Sequence, residues 1–142
     1  MPSLYAAIAA SASALNVERT RIEVSVSNIA NAESTRGPDG QPYRRRDVLL
    51  APDEISSFDS ALGHASAIGV KVSAVVQDQS PFRRRYEPSH PDADASGFVS
   101  LPNVDAPQEM VDMLGAARAY QANLAAIGMI RDLVAKALEL GR

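Results

Sequence analysis

The sequence predicts a mainly α chain with a small β insert, an α+β arrangement in which two long terminal helices enclose a strand-rich middle. Three observations carry that expectation. Near the start, Ile8, Leu15, Ile22 and Ile29 fall seven residues apart. Near the end, an apolar stripe alternates three and four residues from Met110 to Leu138. Between them lie short β-branched runs, with most of the chain's prolines in or around them. The expected division is a terminal-helix core of residues 1–34 and 104–142 and a β-rich middle of residues 35–103.

The first helix is justified by its spacing. Ala12, Arg19 and Val26 fill the gaps between the four aliphatic residues, which makes a repeat of about 3.5 residues, the period of a coiled helix seam. Ser3 is placed to cap its start. The helix is expected to run to Asn31 and stop in the stretch SNIANAESTRGPDGQPYRRR. Pro38 and Pro42 lack amide donors and bias Gly37 and Gln41 away from helix, while Gly37 and Gly40 permit a turn.

In the middle, Arg46–Ala51 and Gly69–Val76 read as strands, with Val70, Val72 and Ala74 alternating. The alternation Phe82, Arg84, Tyr86 and the run from Gly97 to Leu101 supply two more. Residues 53–68 show no firm period and read as a variable loop.

The second helix should start near Pro107, after Asp105, and stop at Gly141. Its stripe is Met110, Met113, Ala117, Tyr120, Leu124, Ile127, Arg131, Val134 and Leu138. Both stripes carry one arginine and many alanines, so a pair of such helices buries little apolar area at about 25 cal/mol per Å². Stability is therefore expected to come from neighbours in an assembly.

Composition excludes several chemistries. The chain has 142 residues, a net charge of -3 and no cysteine, so it has no disulfide, thiolate metal site or cysteine nucleophile and no global attraction to nucleic acid. The N-terminal stretch lacks the basic region and strongly apolar core of a secretory signal, and its pattern continues into the helix. No window has the length of apolar sequence that a membrane helix needs, so direct membrane insertion is not expected.

Two stretches invite chemical readings. His90, Asp92 and Asp94 resemble a metal cluster, which would make the chain a metal-dependent hydrolase or metal-binding protein. Their spacing matches no established ligand loop, and Pro88, Pro91 and Gly97 favour a turn with capping aspartates. The basic runs Arg44–Arg46 and Arg83–Arg85 lack the interleaved aromatics of a nucleic-acid site. They read as a solvated or partner-facing cluster, with Asp47, Glu87, Asp92 and Asp94 as counter-charges. No catalytic constellation, cofactor loop or small-molecule site is assembled by the sequence, and a soluble coiled-coil adaptor is a third reading.

The segment SNIANAEST with GPDGQPYRRR, and the stretch from Asp78 through EMVDMLGAARAYQANLAAI, resemble the bacterial flagellar rod and hook protein family. Together they cover well over half the chain. The resemblance implies a non-enzymatic structural subunit whose terminal helices form an antiparallel coiled pair lining a tube, with the β-rich part outside. It further implies assembly with itself, other rod proteins and basal-body components, a place in the rod across the periplasm, and passage through the flagellar export apparatus without a cleaved signal. The family signature falls on Ser27, Asn28, Ala30 and Asn31, and on Glu109, Met110, Val111, Tyr120, Gln121, Ala122 and Asn123. With the seams, the expected assembly residues are Ile8, Leu15, Ile22, Asn28, Ile29, Asn31, Met110, Met113, Tyr120, Gln121, Asn123, Leu124, Ile127 and Val134. Helical order is expected to rise when the subunit assembles.

Overall fold

The computed structural model describes residues 4–54 and 68–140. Helix α1 (Leu4–Ala30) is followed by strands β1 (Arg46–Glu54), β2 (Ile68–Gln77), β3 (Arg83–Tyr86) and β4 (Phe98–Leu101), and the chain closes with helix α2 (Ala106–Leu140). The two helices are in contact, and the sheets between them in sequence are small and antiparallel. Each expected element is present. The capping roles of Ser3 and Gly141 and most of the expected variable loop fall outside the described residues.

At 27 and 35 residues, the helices span about 40 and 52 Å, given a rise of about 1.5 Å per residue. Within α1, Ser13 and Thr20 donate their hydroxyls back to the carbonyls of Ala10 and Asn16, so these polar side chains are satisfied inside the helix. The helix stops before its prolines are reached. Asn31 donates both its amide and its side-chain Nδ2 to the Ser27 carbonyl, at 3.1 and 2.8 Å, and Ala32 N closes a tighter bond to Ile29 O. Only afterwards does the turn at Gly37–Gln41 form, with Gly37 N on Gln41 O and Gly40 at φ 78°. The terminator is thus local hydrogen bonding at Asn31; the prolines shape the exit.

Strands β1 and β2 form one two-stranded sheet, and Asp78 N donates to Arg45 O at the point where they meet. Strands β3 and β4 form another, in the register Arg83↔Leu101, Arg84↔Ser100, Arg85↔Val99 and Tyr86↔Phe98. Along β4 the burial alternates, with Val99 and Leu101 inside and Phe98 and Ser100 outside, as a half-covered strand requires.

The chain divides into two compact units. One contains Arg21–Val48 and Val75–Leu114. Its core is Ala32, Val99, Leu101, Pro102 and Val104, with Ser25, Asn28 and Glu109 as buried polar members. The other unit takes in Met1–Thr20, Leu49–Ala74 and Gly115–Arg142. Among its described residues only Val17 and Ala116 are buried. There β2 approaches α1, where Val70 N donates to Ser13 Oγ at 3.1 Å, and Lys71 pairs with Asp53 at 2.9 Å.

Candidate assembly surface and its polar latch

Asn28 has no exposed surface, and it uses every hydrogen-bonding valence it owns. Its Nδ2 donates to the Arg46 carbonyl at 2.9 Å and to Glu109 Oε2 at 3.0 Å. Its Oδ1 accepts from Tyr43 Oη at 2.9 Å and from Arg46 N at 3.0 Å. One amide side chain at the end of α1 thereby fixes the chain entering β1 and the first turns of α2.

Glu109 completes the arrangement. Only 1% exposed, it receives Arg45 Nε on Oε1 at 2.6 Å while Oε2 holds Asn28. A buried carboxylate is tolerated when it is both paired and hydrogen-bonded, and this one is. Burial disfavours the Arg45 cation, but the hydrogen bond and charge of Glu109 outweigh that, and its pKa rises above the ordinary guanidinium value. Asn103 braces the same strand from the other side: its Oδ1 accepts from Arg45 N at 2.8 Å, and its Nδ2 donates to Asp78 O and to Ser80 Oγ. Among the described residues, no buried side-chain nitrogen or oxygen lacks a partner.

The arginine runs pair within the chain while Arg46 and Arg83–Arg85 stay exposed. On β3, Arg83 and Arg85 reach to one side and Arg84 to the other, as alternation along a strand demands. Arg83 donates to the carbonyls of Pro102 and Ala32, and Arg85 bonds Glu33 at 2.9 Å and Glu87 at 2.8 Å. Arg84 bonds Asp94 at 2.7 Å and lies over the Phe98 ring. In the other run, Arg44 stacks on Phe82 and donates to the carbonyls of Asp78 and Ser80. Asp47, Glu87 and Asp94 serve as counter-charges to the runs, whereas Asp92 pairs with Arg36 outside them; Glu33 and Glu109 are two that sequence reasoning missed.

His90, Asp92 and Asp94 build a turn. His90 Nδ1 accepts the Asp92 amide, Asp92 pairs with Thr35 and Arg36, and Asp94 accepts the amides of Ser96 and Phe98. Among the described residues no group of three acidic, histidine or cysteine side chains converges as a metal site. The turn closes on Gly97 at φ 79°, where an added Cβ would lie 2.9 Å from the Tyr86 ring, itself edge-on to Phe98.

The helix seams divide in two. Ile8, Leu15, Ile22 and Ile29 are half-buried, while the intervening Ala12, Arg19 and Val26 are exposed. On α2, Met113, Tyr120, Ile127 and Val134 are half-buried, while Met110, Leu124, Arg131 and Leu138 are exposed. Gln121 is exposed, Asn123 is half-buried with Nδ2 on Ala119 O, and Asn31 is half-buried at the end of α1. Asn28 is the only expected assembly residue that is fully buried within the chain. The sheltered line of α2 is Glu109, Ala116, Asn123 and Ile130, one residue out of phase with Met110, Ala117, Leu124 and Arg131. Away from that line α2 keeps much apolar surface exposed, at Val111, Leu114, Leu124, Met129, Leu133 and Leu138.

The sequence that builds these helices and their polar tie has relatives among known proteins over nearly its whole length. The chain is 44% identical to the flagellar basal-body rod protein FlgC of Salmonella typhimurium over 92% of both chains. The chain belongs to the FlgC family of flagellar basal-body rod proteins. The FlgC protein of Bacillus subtilis is 43% identical over 93% of this chain and 94% of its own length. That of Borreliella burgdorferi is 36% identical over 96% and 97%. Residues 95–140 also match the family described as flagellar basal body rod FlgEFG protein C-terminal, a span that takes in β4 and all of α2. Membership in the FlgC family makes this a structural, non-enzymatic protein of the flagellar rod. Asn28 and Glu109 are the buried pair at the centre of its polar latch.

Proposed function

We propose that the chain is a subunit of the proximal part of the flagellar rod, packing with copies of itself and with other rod proteins into a hollow helical axle that transmits torque. The observation that carries this reading is the exposed apolar surface of α2. Leu124, Met129, Leu133 and Leu138 are 55–71% exposed along one helix, far more apolar surface than a helix standing in water would keep. Neighbouring subunits would cover it, with the half-buried seam residues completing each contact. The turns and small sheets between the helices, cross-braced by arginine pairs, would hold subunits in register. Travel through the flagellar export apparatus in an unfolded form fits a chain with no disulfide and, among the described residues, few fully buried side chains.

Replacing Leu124 with Asp tests the reading. Because Leu124 is already exposed, the free chain should lose about 1 kcal/mol or less. In a strain carrying only that variant, rod completion and swimming should fail, because an unpaired carboxylate would be buried between subunits. Complete basal bodies seen by electron microscopy in that strain would overturn the proposal.

A further inference from the structure

Most arginines around the strands are answered by a carboxylate. Arg45 has Glu109, Arg84 has Asp94, Arg85 has Glu33 and Glu87, and Arg36 has Asp92. Among the described residues, Arg44 and Arg46 have none. Arg44 lies 4.3 Å from the centre of the Phe82 ring and donates to the carbonyls of Asp78 and Ser80, while the Asp78 carboxylate accepts the Ser80 amide. Arg46 is exposed and lies 5.6 Å from the centre of the Tyr43 ring. A guanidinium carries five N–H donors, so both side chains keep donors free for a further partner.

The two sit on the wall of one cavity. It has a volume of about 510 Å³ and lies between the chain leaving α1 and the start of β1, with Asn31, Arg36, Asp39, Pro42 and Tyr43 beside the two arginines. Every residue that lines it belongs to one compact unit. The volume falls within the range of about 300–1,000 Å³ typical of ligand sites. Three arginines against one aspartate make its field positive, and low-dielectric walls strengthen such a field. The wall is also fixed beforehand. Asn28 holds Arg46 at both its amide and its carbonyl and accepts the Tyr43 hydroxyl, and the Arg45 amide donates to Asn103. A partner that binds there has little of the chain left to order.

We propose that this cavity is a docking site for an acidic peptide segment of a neighbouring protein, two of whose carboxylates pair with Arg44 and Arg46 while its backbone packs against Tyr43 and Pro42. The planar fork of a guanidinium matches a carboxylate with two parallel N–H···O bonds, which gives direction as well as charge. A second copy of this chain is a poor source of such a segment, because its closely spaced carboxylates are already taken: Glu87 by Arg85, Asp92 by Arg36 and Asp94 by Arg84. The partner is therefore a different chain. Its place within the rod rests on the rod reading; the site itself does not.

Fluorescence anisotropy on the full chain tests the site, using a labelled hexapeptide of alternating glutamate and glycine, with a glutamine–glycine hexapeptide as its control. The acidic peptide should bind at least ~10-fold more tightly in low salt, and the gap should narrow as ionic strength rises. Arg46→Glu should weaken that binding at least ~10-fold and Arg46→Gln at least ~3-fold. Arg84→Gln, at an exposed arginine that has its own carboxylate, should change it less than ~2-fold. Equal binding of the two peptides, or equal losses in Arg46→Gln and Arg84→Gln, would overturn the site. Inorganic tripolyphosphate that displaces the label at lower concentration than unlabelled acidic peptide would overturn the choice of a peptide. In a strain carrying Arg46→Glu, swimming should fall, and suppressors that restore it should replace an acidic residue with a basic one in another flagellar protein. Suppressors confined to acidic residues of this chain, or full swimming with a protein that no longer binds the peptide, would overturn the partner and leave the rod reading, which Leu124→Asp tests, untouched.

Discussion

Asp94 shows how much one exposed side chain can organise. It accepts the Phe98 and Ser96 amides and receives Arg84, and these interactions, led by the Phe98 amide, hold its pKa below the usual carboxylate value against the opposing effect of desolvation. Asp78 is lowered in the same way, chiefly by the Ser80 amide. A carboxylate whose folded pKa is depressed contributes stability above its unfolded value, about 4, and loses it as pH falls through the folded value. Wild type should therefore exceed Asp94→Asn in urea midpoint at neutral pH, and the gap should close as the pH is taken below about 4. A constant gap from pH 7 to pH 3 would contradict this. Gly97→Ala tests the same turn from the backbone side. The positive φ and the 2.9 Å approach to Tyr86 predict a loss of about 1–3 kcal/mol, read from chemical denaturation. Little of this was legible in sequence beyond the expectation of a turn with capping aspartates. The near partners Asp47 and Glu87 were legible, but the distant ones were not, since Glu109 and Glu33 lie 64 and 52 residues from Arg45 and Arg85.

The elements themselves were legible because periodicity and turn chemistry are local properties. Both helices, all four strands and the place where α1 gives way to loop follow from spacing, β-branching and the Asn, Gly and Pro residues near Asn31. The facing of α2 was less so. With Ala116 and Ala117 adjacent, and Met110 beside Glu109, an apolar stripe can be drawn in two phases about 100° apart on an α-helix of 3.6 residues per turn. Apolarity favours the phase through Met110 and Leu124, but the single chain shelters the phase through Glu109 and Ala116, because the buried carboxylate finds Arg45 and Asn28 there. The difference predicts opposite sensitivities. Ala116→Leu should destabilise the free chain by about 1–3 kcal/mol through overpacking, while Leu133→Asp, on the exposed side, should cost about 1 kcal/mol or less and disable assembly instead. Thermal unfolding of the free variants, set beside swimming in strains that carry them, separates the two effects.

For the molecule as a whole, two helices of about 40 and 52 Å lack a core to match, given the seven apolar residues that are buried among those described. Isolated helices owe most of their stability in proteins to tertiary packing. The free chain should accordingly show less helix by far-ultraviolet circular dichroism than the 62 residues of α1 and α2 imply, 27 + 35, and the signal should grow as the chain assembles. Full helicity in dilute monomer would argue against it. By itself, the sequence determined the types and order of the elements, the apolar seams, the absence of thiol chemistry and the resemblance to flagellar rod proteins. Each of these is written in neighbouring residues or in short motifs. Only the tertiary structure decided which side of each helix turns inward, which distant carboxylates answer Arg45 and Arg85, and that Asn28 is a buried tie between α1, β1 and α2. Those outcomes depend on groups brought together from up to 81 residues apart, where burial makes an unmet hydrogen bond costly enough to select one arrangement.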